Sequence, residues 1–305
     1  MAASNALKPT GTGDVRRSGR WLASATPGTR FYSLRRLAEN RVALASAGFL
    51  VFVMLCSLLA PLLSPYDPNF IDPVNRKLEP SSSHWFGTDD LGRDVFTRAL
   101  YGARISLLVG VSVTVVAAVF GSMLGLLAGF YDRVDGTIMR VMDGFMAFPS
   151  ILLAIAIMAS LGPRTSNVIV ALAVVYVPQI ARLVRGTTLG TRGQLYVESA
   201  RVIGAKDGRI LGRYILANSL SPLIVQCTFI FAYAIIAEAS LSFLGAGVPP
   251  EVPTWGNMLR DGQRLITTSW WLSIMPGTML FVTVLTLNLL GDGLRDALDP
   301  RSQER

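Results

Sequence analysis

Residues 42–63 form a run of 22 amino acids without one charged side chain. As a helix rising 1.5 Å per residue it reaches roughly 33 Å, the thickness of a bilayer core. The apolar region of a cleaved signal is only about 7–15 residues. Arg35-Arg36 just before the run resembles a twin-arginine export signal, but the length predicts a retained span. Five more apolar stretches follow, at residues 105–131, 142–161, 168–183, 221–244 and 272–290. Backbone groups in lipid must satisfy one another, so such runs become helices packed against each other. The fold class expected is all-α, a polytopic membrane protein with six transmembrane helices. Only 16% of residues are charged, against about 25% in soluble domains.

Charge placement predicts the orientation. Residues 1–41 carry eight Lys and Arg side chains against Asp14 and Glu39, and read as a basic cytoplasmic tail before the first helix at 42–64. Residues 65–104 are balanced in charge and belong outside by the positive-inside rule. Residues 105–291 hold the other five helices, with a basic loop at 190–217 that helix counting also puts inside. Residues 292–305 form a short cytoplasmic tail, so both termini face the cytoplasm. The net charge of +8 sits at the edges of apolar runs. It therefore reads as membrane orientation and contact with lipid rather than nucleic-acid binding.

Local signals add detail. Thr88 or Asp89 is the N-cap expected for an amphipathic helix lying on the outer membrane surface, with Leu91, Val95, Phe96 and Ala99 as its apolar stripe. Gly121, Gly125 and Gly129 recur every fourth residue, a face that lets another helix approach closely. Gly162-Pro163 ends the third span, while Pro149, Pro178, Pro222 and Pro276 mark kinks. Trp270-Trp271 fits an interfacial aromatic belt. Cys56 and Cys227 lie inside apolar runs and read as buried hydrophobes rather than a disulfide.

Signals for chemistry are sparse. No GxxxxGK[ST] phosphate loop occurs, so this chain is not expected to hydrolyse ATP. His84 is the only histidine, which leaves neither a metal cluster nor a Ser-His-Asp triad, and no cofactor is expected. His84 itself reads as a loop residue beside Trp85. Two acids fall in or near spans. Asp143 has Arg140 three residues earlier on the same helix face, which suggests an ion pair, with a transport role as the alternative. Glu238 has no local partner, so packing, pairing with another helix and contact with a transported solute stay open.

The segment 190–222, GTRGQLYVESARVIGAKDGRILGRYILANSLSP, interrupts the apolar pattern. Residues 194–203 read as a short helix with Val197, Ala200 and Ile203 on one face. Gly204 suits the left-handed position that ends a helix, and Asp207 can cap the next one. Such a pair forms either a rigid knob for another protein or an amphipathic loop adhering to anionic lipid.

This segment resembles the EAA loop of permease subunits of bacterial ABC importers. Glu198, Ala200, Gly204 and Leu216 match the pattern, while Ser199, Tyr214 and Ala217 depart from it. Three more stretches, HWFGTDDLGRDVFTRALYGARISL, EASLSFLGAGVPPEVPTWGNML and NLLGDGLRDALDPR, are similar to the C-type subunit of the dipeptide/oligopeptide (and nickel) group. The resemblance spans about residues 40–301 and implies the type I ABC importer permease fold. It further implies a B-type permease partner, two cytoplasmic ATPases, an extracytoplasmic substrate-binding protein, a peptide cargo (with nickel or glutathione as alternatives) and residence in the inner membrane. Glu198, Ser199, Ala200, Gly204, Ala205 and Asp207 would then form the ATPase contact. A secondary transporter using Asp143 and Glu238 as coupling groups is the reading from a different class.

Overall fold

A computed structural model describes residues 40–298. The basic tail before Asn40 and the residues after Leu298 lie outside that range. The described chain is helical, with α1 at Arg41–Leu58, α2 at Ala60–Leu63, α3 at Val95–Phe130 and α4 at Asp132–Met146. Then come α5 (Ser150–Leu161), α6 (Thr165–Arg192), α7 (Leu195–Val202) and α8 (Asp207–Arg209). A π-helical turn at Ile210–Ile215 leads into α9 (Leu216–Phe243), followed by α10 (Trp255–Gln263) and α11 (Trp271–Leu298). Five helical stretches are long and apolar enough to cross a bilayer, and α4 with α5, bent by 93° at the break between them, makes a sixth when the pair is counted as one span.

Helix α1 starts where the Asn40 side-chain amide oxygen accepts from the backbone N–H groups of Val42 and Ala43, both at 3.1 Å. The surface helix expected before span two is not a separate element. Its residues are the first turns of α3, which is 36 residues long. The cap is Asp94 rather than Thr88 or Asp89, accepting from the Thr97 N–H at 2.7 Å. Thr88 instead accepts from Leu78 N–H and donates to the Asn75 carbonyl, and Asp89 pairs with Arg93 at 2.6 Å. Val95 and Ala99 pack on Met258, Trp271 and Leu272, so protein rather than lipid covers the apolar stripe. His84 has a partner too, the Asp94 carboxylate at 2.9 Å. Of the two tryptophans, Trp270 is half-exposed as a belt residue would be. Trp271 is buried and donates to the Thr88 carbonyl.

The expected glycine face is the central contact. Gly121, Gly125 and Gly129 lie against Ile180, Ala181, Val184 and Thr188 of α6, close enough that an added Cβ would meet them at 2.5–2.8 Å. Pro178, Pro222 and Pro276 are accommodated inside helices. Pro149 instead breaks its span into α4 and α5. Gly162, at φ +83°, closes α5. Cys56 and Cys227 are free thiols.

Candidate functional site

The short helix α7 protrudes between two spans. Its underside is apolar: Val197 and Ala200 are buried, and Val197 joins Phe130, Ile210 and Ile215 in one cluster edged by Ala205 and Tyr214. The end is a Schellman motif. Gly204 takes φ +83°, its N–H donates to the Arg201 carbonyl, and the Ala205 N–H donates to Ala200, both at 2.9 Å. Ser199 donates its hydroxyl back to Leu195 within the helix. Arg201 lies over the Phe130 ring, 5.2 Å from its centroid.

Two details differ from expectation. Ile203 is exposed, because the helix turns into its cap at that residue and rotates the side chain off the buried face. Asp207 does not cap α8; the N-cap is Lys206, and the Asp207 carboxylate accepts from the Tyr131 hydroxyl at 3.1 Å. That bond, reinforced by partial burial and by the Asp207 charge, holds the Tyr131 phenol above its ordinary pKa. It also ties the end of α3 to the start of α8. Tyr214, where the resembled pattern has isoleucine, lies beside the Tyr196 ring, and Asn218 donates to both the Tyr196 hydroxyl and the Tyr214 carbonyl.

The outer face of α7 shows Leu195, Tyr196, Glu198, Ser199, Arg201 and Val202. Val202 keeps 87% of its surface and Leu195 80%. Large apolar side chains this exposed, rimmed by charge and held on a buried platform, mark an interaction surface.

Asp143 does not pair with Arg140. Its partner is Arg182 on α6, at 2.7 Å. This is one rung of three, since Asp135 meets Arg185 through two bonds of 2.5 and 2.6 Å, and Asp132 meets Arg192 at 2.7 Å. The rungs join α4 to the stretch of α6 that leads into α7. A search limited to neighbours in sequence selects Arg140, because the true partner lies 39 residues away.

Glu238 is buried in α9. It accepts from the Ser106 hydroxyl of α3 at 2.9 Å and from Ser242, one turn along α9, at 2.8 Å. Ser242 in turn accepts from the Val248 N–H, which links the carboxylate to the loop before α10. Among the described residues no cation reaches it. Glu238→Gln is expected to transport normally, since the amide oxygen keeps one serine hydroxyl and the amide NH2 donates to the other once that hydroxyl turns its proton away. Glu238→Leu strands both hydroxyls and should cost about 1–3 kcal/mol, read as a lower melting temperature of the solubilised protein. Loss of transport in Glu238→Gln at unchanged stability would instead favour a coupling role for the carboxylate. Among the described residues no group of three or more His, Cys, Asp and Glu side chains could hold a metal.

Residues 99–304 match the family described as the binding-protein-dependent transport system inner membrane component, and residues 31–80 match the N-terminal transmembrane domain of oligopeptide transport permease C. A putative peptide transport system permease protein of Brucella abortus is 48% identical, covering 88% of this chain and 90% of the relative. The dipeptide transport system permease protein of Alkalihalophilus pseudofirmus is 45% identical over 88% and 89%. A glutathione transport system permease protein of Pectobacterium atrosepticum is 45% identical over 90% and 92%. In fold, the chain resembles a crystal structure of an amino acid ABC transporter with a TM-score of 0.51 at 15% identity, over 66% of this chain and 94% of that one. The chain therefore belongs to the binding-protein-dependent transport system inner membrane component family, as a C-type permease subunit of an ABC importer.

Proposed function

We propose that this subunit forms half of the pore of an ATP-driven peptide importer and that α7 is where partner ATPases grip it. One observation carries the reading: an apolar and charged outer face, from Leu195 to Val202, stands on a buried platform between two spans. Glu198, Ser199 and Ala200 belong to the helix, Gly204 and Ala205 to its cap, and Asp207 to the tether at Tyr131. ATP-driven closure of the ATPases would push this knob, and the spans would rock between states as packed bodies. Nucleotide chemistry then lies on the partner chains, in keeping with the missing phosphate loop.

The proposed assembly has a B-type permease as second pore subunit, two ATPases on the α7 side and an extracytoplasmic binding protein at the opposite end. Relatives named for peptide, dipeptide and glutathione transport support peptides as cargo. The excess of Lys and Arg around 182–213 supports a cytoplasmic α7 in the inner membrane, with both termini on that side. By the same reasoning residues 65–94 and α10 face outward, and residues 1–41, 42–64, 65–104, 105–291 and 292–305 divide into tail, first helix, outer loop, core and tail. An ion-gradient mechanism finds no support in the geometry, since Asp143 is paired with Arg182 and Glu238 is held by two serine hydroxyls.

Glu198→Lys reverses charge on the outer face without touching the platform. ATP-dependent peptide uptake should fall to background while the chain still inserts. Unchanged uptake and ATPase co-purification in this variant and in Gly204→Val would refute the coupling role.

A further inference from the structure

A cavity of about 270 Å³ lies where the first span ends, between Ser64 after α2, the turn at 82–85 and the first residues of α3. This is the end of α3 away from α7, since Phe130 at the other end packs on Val197. Leu63, Tyr66, Trp85 and Phe96 give the cavity apolar and aromatic walls, and Asp94 gives it a carboxylate. No Lys or Arg is among its lining residues.

Each wall is held in place. The Tyr66 hydroxyl donates to the Ser83 carbonyl at 3.1 Å, and the Tyr66 ring lies 5.0 Å from that of His84. Trp85 packs on Phe96, with ring centroids 4.9 Å apart. The turn closes on itself, the Ser81 N–H donating to the His84 carbonyl at 2.8 Å. Asp94 is buried. One of its oxygens meets His84 Nδ1 at 2.9 Å, and the other accepts from the N–H and the hydroxyl of Thr97. A carboxylate has about four acceptor positions, so Asp94 can cap α3 and still receive one more donor from the cavity. A neutral His84 donating from Nδ1 leaves the carboxylate its charge.

Chemistry and position together define an occupant. Aromatic rings around a carboxylate, with no cation beside them, suit an ammonium group. Position selects its source. Phe52, Leu55, Leu58, Leu59 and Leu62 are exposed along α1 and α2, and the exposed Leu63 carries that apolar surface to the cavity mouth. Trp85 is more than half exposed there, as a side chain at a bilayer edge is. A phospholipid with its acyl chains along α1 brings its headgroup to this level.

We infer that this cavity seats the ammonium headgroup of a zwitterionic phospholipid at the rim of the first span away from α7. The rings of Tyr66 and Trp85 flank the charge, and Asp94 accepts one of its N–H groups. In the test, the complete importer in mild detergent is mixed with equal amounts of phosphatidylethanolamine and phosphatidylglycerol of matched acyl chains. Native mass spectrometry then counts the lipids retained. Phosphatidylglycerol has no ammonium, so the parent should retain the ethanolamine lipid in preference. Trp85→Ala should lower that retention about fivefold, the upper end for an exposed cation–π contact. Asp94→Asn should lower it at least as far, since asparagine still caps a helix but carries no charge. Trp270→Ala removes another exposed tryptophan and should change nothing. If Asp94→Asn fails to assemble, Trp85→Ala decides alone, because that side chain is exposed and outside every helix. Equal retention of the two lipids by the parent, or undiminished retention in Trp85→Ala, would overturn the site. Release of the lipid by added dipeptide would assign the cavity to a peptide amino group and overturn the lipid as its occupant.

Discussion

Gly125→Leu is expected to abolish recovery of folded protein from the membrane. A side chain there would begin 2.5 Å from the Ala181 carbonyl oxygen and 2.8 Å from the Val184 Cβ. Overpacking that neighbouring side chains can absorb costs about 1–3 kcal/mol. Here the nearest obstacle is the backbone of α6, which can yield only if the two helices part. Helices in lipid associate through packing at small residues, with no hydrophobic driving force to compensate. Separation would also pull Gly121 off Ile180 and Gly129 off Thr188. Gly48→Leu on α1 is the matched control, because nothing lies within 4 Å of its Cβ position. Size-exclusion recovery in mild detergent should be lost for Gly125→Leu and retained for Gly48→Leu; comparable recovery would show that the α3–α6 contact is not what holds the fold.

The second large effect is selective. Val197→Asp places a carboxylate among Phe130, Ile210 and Ile215, where Val197 is fully buried. An uncompensated buried charge costs several kcal/mol per ion, enough to tear α7 from its platform. The cluster lies at the ends of the spans, with Phe130 closing α3 and Ile215 leading into α9, so insertion and expression should persist while ATP-dependent uptake disappears. Val197→Leu keeps the apolar contact and should retain most uptake. This comparison separates the platform from the outer surface: Glu198→Lys damages docking on an intact knob, and Val197→Asp removes the knob. Cross-linking of α7 to an ATPase at wild-type efficiency in Val197→Asp would mean the cluster does not position the helix.

What could be read from sequence divides along a physical line. Gly204 was legible because a left-handed position after a short helix calls for glycine, and Val197 with Ala200 because helical period sets their face. The glycines of α3 were legible for the same reason of period. Contacts between distant segments were not. Glu238 finds Ser106 across 132 positions and Asp143 finds Arg182 across 39; nothing local distinguishes those partners from other serines and arginines. The start of α3 misled because Thr88, Asp89 and Asp94 all have capping chemistry. The outer loop decides among them by using Thr88 and Asp89 for its own bonds. Pro149 carried a signal for distortion, yet a kink and a complete break look alike until the neighbouring helices are placed.

The broken crossing also bears on how the protein is made. Helix α5 has 12 residues, about 18 Å of helix, too short for a bilayer core of about 30 Å. Helix α4 brings Asp132, Asp135 and Asp143, and the arginines that neutralise them all lie on α6. Without α6, three carboxylates stay unpaired beside an apolar segment too short to span lipid alone. Helices α4 and α5 are therefore expected to hold their place only once α6, with its Arg182, Arg185 and Arg192, has been made.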